Sequence, residues 1–177
     1  MGAFPNLVAH HQDLVYGVAR RWSKSTESAE DLAQETFIRA FRALKTYDAT
    51  RIGELHLRGW LARITVNLAK NAARDRGAAS GGSSLDESHD RADGDAVRPD
   101  DSAERRESNA TWARLLAGLP AGYRAAVGLR HVDGLSYPEL AEVLGKPLGT
   151  VKSDVHRGVA MLRRAYEREN GNEVMSR

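Results

Sequence analysis

The sequence predicts an all-α fold, two small helical domains joined by a flexible acidic linker. Three observations carry that expectation. Apolar residues recur at spacings of three and four towards both ends of the chain, and nowhere alternate as in a strand. The middle block, residues 77–108, is rich in Gly, Ser, Asp and Ala and nearly empty of large apolar side chains. Near the C-terminus a helix-start signal, a tight turn and a second helix follow one another closely.

In the first domain, residues 1–76, Leu7, Leu14, Val15 and Val18 form one helical stripe that closes near Trp22. The polar run at 24–28 interrupts it, and Ser28 with Asp31 supplies a capping pair for the next helix. There Leu32, Thr36, Phe37, Ala40, Phe41 and Leu44 face inwards, leaving Asp31, Gln34, Glu35, Ile38, Arg39 and Arg42 outside. Residues 45–59 form a loop. A further helix then places Trp60, Leu61, Ile64, Leu68 and Ala72 at helical spacing, with Trp60 in the core. Its other face carries Arg63, Asn67, Asn71 and Arg74, with Lys70 alongside. Asparagine is a poor helix-interior residue, because its amide competes for nearby backbone groups. Two of them one turn apart among cations need a reason.

The block 77–108 cannot bury enough apolar surface to offset its ordering entropy, so it is expected to be a flexible linker. Its net charge of −5 separates basic ends of +4 (residues 1–76) and +3 (residues 109–177). That asymmetry points to a polyanionic partner for the ends and keeps the linker away from it.

In the second domain, residues 109–177, two helices are stopped by Pro120 and by Gly134. Ser136 and Glu139 then make an S-x-x-E box, with Pro138 in the first turn. Leu140, Val143 and Leu144 give that helix its buried side, 145–149 is a tight turn, and the last helix starts near Thr150. Val151, Val155, Val159 and Leu162 line one face of it. Thr150 opens it, and Lys152, Ser153, His156 and Arg157 occupy the other face. Cationic and hydrogen-bonding side chains on the N-terminal half of such a helix suit the DNA major groove.

Composition narrows the chemistry. The 177 residues, 41% apolar, suffice for a folded core. There is no cysteine, so no disulfide framework, thiolate nucleophile or Cys-ligated zinc is expected. The six histidines show no H-x-x-x-H spacing on one helix, and no metal or other cofactor is expected. No Gly-rich phosphate loop or nucleophile–base pairing stands out, so no enzyme activity and no catalytic residues are expected. With no membrane-spanning run and no signal-peptide pattern, a cytoplasmic protein is expected.

The C-terminal stretch "LRHVDGLSYPELAEVLGKPLGTVKSDVHRGVAMLRRA" resembles region 4 of the extracytoplasmic-function (ECF) sigma factors of bacterial RNA polymerase. Alone it is also close to the helix–turn–helix of LuxR-type regulators. The first domain separates the two. "AEDLAQETFIRAFRAL" and "RGWLARITVNLAKNAARDR" resemble the two motif helices of ECF region 2, in the family's order. A LuxR-like regulator with a sensor domain would instead need a ligand pocket or phosphoacceptor there.

The resemblance implies roles. The helix holding Arg63, Asn67, Lys70, Asn71 and Arg74 would face the opened non-template strand of the minus-10 element, Asn67 helping to hold a flipped base. A neutral amide both donates and accepts, which suits a base edge, while flanking cations hold phosphates. Thr150, Lys152, Ser153, His156 and Arg157 would read the minus-35 element. Asp31, Gln34, Glu35 and Ile38 would contact the clamp helices of the polymerase largest subunit, and the polymerase flap is a further expected contact. A regulating anti-sigma factor is an implied partner. There are departures from the pattern. The loop at 47–58 is longer than usual and lacks the aromatic before Trp60, and Asp154 stands where many members have Arg.

Overall fold

The computed structural model describes residues 3–79 and 103–175, and among them every regular element is helical. Helix α1 (Ala3–Trp22) buries Leu14, Val15, Val18 and Ala19 along the expected stripe. Helix α2 (Thr26–Leu44) is capped by Ser25, an extended residue whose hydroxyl accepts from the Ser28 amide at 3.1 Å. The start signal is therefore Ser25, not the Ser28–Asp31 pair. Ser28 already lies inside the first turn, where its amide is one of those needing an acceptor.

The segment expected to be a loop holds one short helix, α3 (Ala49–Gly53). Asp48 caps it, accepting from the Arg51 amide at 2.8 Å. Helix α4 (Leu57–Ala79) then crosses α1 and α2. Val15, Ala40, Trp60 and Leu61 form the core of this three-helix unit, with Tyr47 tilted against Trp60 at 6.1 Å between ring centres. Trp60 is a core residue, as expected. Phe41 is not: it is 37% exposed, its edge against Phe4 and its face under the Lys45 ammonium. Ala40, beside it in sequence and likewise expected inwards, is in the core.

The second half begins with α5 (Ala103–Ala117) and α6 (Ala121–Val127), which runs into a π turn at Gly128–Val132. Helix α7 (Tyr137–Leu144) opens on the expected capping box. Ser136 accepts from the Glu139 amide, and the Glu139 carboxylate accepts from the Ser136 amide at 2.7 Å. Gly145, at φ +65°, ends α7 in the left-handed conformation that a side chain would disfavour. Helix α8 (Leu148–Met175) follows at once.

One expectation for α8 fails. Val159 is 41% exposed, and its place on the buried stripe is taken by Gly158. At about 100° per residue, 151, 155, 158 and 162 share one narrow face, whereas 159 is rotated well off it. A Cβ at position 158 would lie 2.5 Å from Val127, so only glycine lets α8 approach α6 this closely.

The segment 80–102, most of the expected linker, lies outside the described residues. Helices α4 and α5 extend into the linker block from either side, to Ala79 and from Ala103. The two halves are in contact. One cluster joins Leu14, Val18, Ala62 and Val66 from the first with Leu129, Leu135, Leu140 and Val143 from the second. Helix α4 lies against α7.

Candidate nucleic-acid and polymerase interfaces

Two sides of α4 are buried, one against α1 and α2 and one against α7, which leaves a single solvent face. Asn67, Asn71 and Arg74 stand on that face, exposed. Among the described residues no hydrogen bond ties the Asn67 amide to a loop. Arg63 and Lys70 flank it and lean towards the second half. The Arg63 guanidinium is 3.8 Å from the Glu142 carboxylate, and the Lys70 ammonium sits 5.8 Å from the centre of the Trp22 ring. Burial, then the nearby Lys146 charge, lowers the Lys70 pKa from its ordinary value. Three of the five residues thus face solvent freely, and two are engaged at the seam between the halves.

On α8, Thr150, Lys152, Ser153, His156 and Arg157 are all exposed, while Val151, Asp154 and Val155 turn inwards. Asp154 accepts from Lys146 at 2.8 Å, tying the turn between the two helices to the recognition helix. Its carboxylate is thereby turned away from the exposed cationic face. The departure at this position exchanges a cation for an internal tie.

The outer side of α2 presents Asp31, Gln34 and Ile38 to solvent, with Glu35 half-buried and bonded to Arg39 at 2.7 Å one turn on. Exposed Phe41 continues the strip beyond Ile38. A groove of about 740 Å³ between α5 and α8 has Leu115, Leu119 and Met161 among its lining residues and Arg114, Arg164 and Arg168 beside them. The sequence reading missed Arg21, Arg58 and Asp133, which meet at the seam. The available signal was Gly17, a glycine inside an expected helix, costly unless something packs close.

Among the described residues no helix is long and apolar enough to cross a membrane, and no group of His, Asp or Glu is arranged to hold a metal ion. Residues 7–79 match the family described as Sigma-70 region 2, and residues 111–162 match Sigma-70, region 4. The chain is 40% identical over 163 residues to the ECF RNA polymerase sigma factor SigE of Mycolicibacterium smegmatis, covering 92% of itself and 61% of that protein. It is 32% identical over 168 residues to SigW of Bacillus subtilis, covering 92% of itself and 88% of the relative. Among solved structures it resembles CnrH in complex with the cytosolic domain of CnrY (26% identity, TM-score 0.65, 94% and 88% covered). It shares the fold of the sigma factor RpoE in complex with the anti-sigma factor NepR from Bartonella quintana (22% identity, TM-score 0.74, 94% and 98% covered). Both matched regions fall in family order, and the match to full-length relatives spans both halves: the chain belongs to the ECF RNA polymerase sigma factors of the sigma-70 family.

Proposed function

We propose that this chain directs core RNA polymerase to specific promoters and helps open the minus-10 element. Residues 1–76 act as region 2, residues 77–108 as the tether and residues 109–177 as region 4. The observation that supports this best is the single solvent face left on α4, where Asn67 and Asn71 stand beside Arg74. An unstacked base costs a few kcal/mol, which a pocket offering donor and acceptor together offsets. Arg63, Lys70 and Arg74 hold phosphates and set position without reading sequence. Lys152, Ser153, His156 and Arg157 read the minus-35 groove, with Thr150 at the start of the helix.

Asp31, Gln34, Glu35 and Ile38 dock on the clamp helices of the largest polymerase subunit. The apolar floor of the α5–α8 groove suits the flap. The chain supplies specificity and strand capture and does no covalent chemistry of its own; the polymerase makes the RNA, in the cytoplasm. Tethering raises the effective concentration of the second element once the first is bound. An anti-sigma factor, the partner class found on the Bartonella quintana protein, holds the chain inactive until a signal arrives. The test is transcription of genomic DNA from the encoding organism by core polymerase with and without the chain. New, discrete 5′ ends sharing upstream sequence are expected; an unchanged set of transcripts refutes the proposal.

A further inference from the structure

Lys152 stands exposed on α8 with no acid within reach along its own helix. Positions 148, 149, 155 and 156, three and four residues away, hold Leu, Gly, Val and His. The single acid in the first two turns of α8 is Asp154, and Lys146 occupies it at 2.8 Å. What stands beside the Lys152 ammonium is instead the ring of Tyr137, with 5.9 Å between Nζ and the ring centre.

Tyr137 is a stiff support. Its backbone lies between the Ser136 cap and Pro138, which restricts the residue before it. Its ring packs against the core cluster that contains Leu135, Leu140 and Val151. The Arg130 guanidinium lies over the same ring, 5.0 Å from its centre, and donates to the Leu135 carbonyl at 3.0 Å. In this pose the Arg130 Nε is buried and, among the described residues, has no acceptor. A buried donor left unsatisfied is costly, so the ring helps to decide where the guanidinium sits.

A ring and a carboxylate hold an ammonium with different consequences. A carboxylate cancels the charge, and the pair must break before the lysine meets DNA. The negative face of a tyrosine ring attracts the ammonium yet leaves it a full positive charge and three donors. Lysine also loses much rotamer freedom when a ligand fixes its long stem. Holding the stem beforehand removes part of that cost, and the gain appears only once DNA is bound.

We propose that Tyr137 is the positioning residue for Lys152. Its ring pre-orders the ammonium for the minus-35 groove, and Arg130, over the same ring, fixes the support. The consequence for DNA rests on the region 4 reading above, but the contact itself can be measured without DNA.

The first measurement is the set of nuclear Overhauser contacts between the Tyr137 ring protons and the Lys152 methylenes in the full-length protein. They are expected in wild type and in Tyr137→Phe. Their absence from wild type would overturn the proposal. The second is binding of holoenzyme, core polymerase with the full-length chain, to promoter fragments carrying an intact or a scrambled minus-35 element. Tyr137→Leu is expected to weaken binding to the intact fragment by about two- to fivefold, the size of an exposed cation–ring contact. Tyr137→Phe is expected to bind as wild type does. With Lys152→Ala already in place, Tyr137→Leu is expected to have no further effect.

An equal loss in both backgrounds would overturn the proposal, because a merely structural role does not depend on Lys152. Tyr137→Phe as weak as Tyr137→Leu would also overturn it, putting the hydroxyl itself on the DNA. Should Tyr137→Leu lose helicity, Tyr137→Met takes its place, filling the volume without a ring. Wild-type holoenzyme that binds intact and scrambled fragments alike would sink the region 4 reading and the groove role with it. The Overhauser contacts would still decide the pairing of Tyr137 with Lys152.

Discussion

Thr36 of α2 and Thr65 of α4 meet with 3.3 Å between their hydroxyl oxygens, both fully buried where the two helices cross. Thr65 donates its proton to the Leu61 carbonyl at 2.9 Å and so can only accept from Thr36, whose single proton is shared between the Thr65 oxygen and the Leu32 carbonyl at 2.8 Å. The crossing sets α2 and α4 back to back. The exposed residues Asp31, Gln34 and Ile38 of α2 and Asn67, Asn71 and Arg74 of α4 therefore lie on separate surfaces, as the proposed simultaneous contacts with polymerase and DNA require.

This contact gives a stability prediction. Thr36→Val or Thr65→Val alone leaves one buried hydroxyl without its neighbour and should cost about 1 kcal/mol. The double variant replaces both partners by groups of the same shape and should cost less than the sum. Urea unfolding of the four proteins closes the cycle. Strict additivity would mean that the two hydroxyls do not interact.

The outer side of α2 gives a second. Asp31→Lys or Glu35→Lys should weaken binding to core polymerase by about tenfold, because a new cation meets the partner where an acid stood. The fold should be retained: Asp31 is exposed, and the Glu35–Arg39 pair, an i,i+4 pair that solvent reaches at both ends, contributes at most a few tenths of a kcal/mol. Competition binding to core polymerase, with circular dichroism alongside, checks both. Normal affinity together with lost helicity would show that this side packs inside the protein.

The recognition helix separates base contacts from phosphate contacts. Arg157→Ala and Lys152→Ala should each cost roughly 1–3 kcal/mol on the specific minus-35 duplex if bidentate to base edges. A residue on phosphate alone would weaken all sequences alike and lower the salt slope by about one. Titrations of specific and scrambled duplex across a salt series distinguish these. No effect from either substitution would remove α8 from the groove.

A fourth prediction concerns pH. His11 is buried on α1, and burial, then the charges of His10 and Arg58, lowers its pKa. Above about pH 6.5 the ring is neutral folded or unfolded, so it costs nothing. As pH falls below that value the unfolded chain takes up a proton that the folded one resists, and stability declines until the folded pKa is passed. The melting temperature should drop between pH 7 and 5.5, and by less in His11→Gln. Equal pH dependence in both proteins would remove His11 as the cause.

What was legible in the sequence was local. The Ser136–Glu139 box, the turn at Gly145 and the core position of Trp60 follow from side-chain chemistry within a few residues, and each stands where expected. The errors were of two kinds. Ser25 and Ser28 are both capping residues that composition could not choose between, and Phe41, expected inwards together with Ala40, is apolar whichever way it points; packing turned it outwards. Gly158 displaced Val159 because a helix–helix approach rewards the absence of a side chain, which an apolar count scores as nothing. The seam was not legible at all. Arg21 and Asp133 are 112 positions apart, and no local periodicity pairs residues at that separation.

The most direct measurement is permanganate footprinting of unpaired thymines on a promoter fragment, beside a gel shift of the closed complex. Core polymerase with the wild-type chain should give reactive thymines around the minus-10 element, and core alone none. Asn67→Ala should keep its stability, since alanine is the better helix former by several tenths of a kcal/mol. It should also keep the closed complex, which relies on region 4 and on phosphates, and lose most of the thymine reactivity, with Asn71→Ala milder. Thymine reactivity unchanged by adding the chain, or full opening by Asn67→Ala with a lowered melting temperature, would contradict the account.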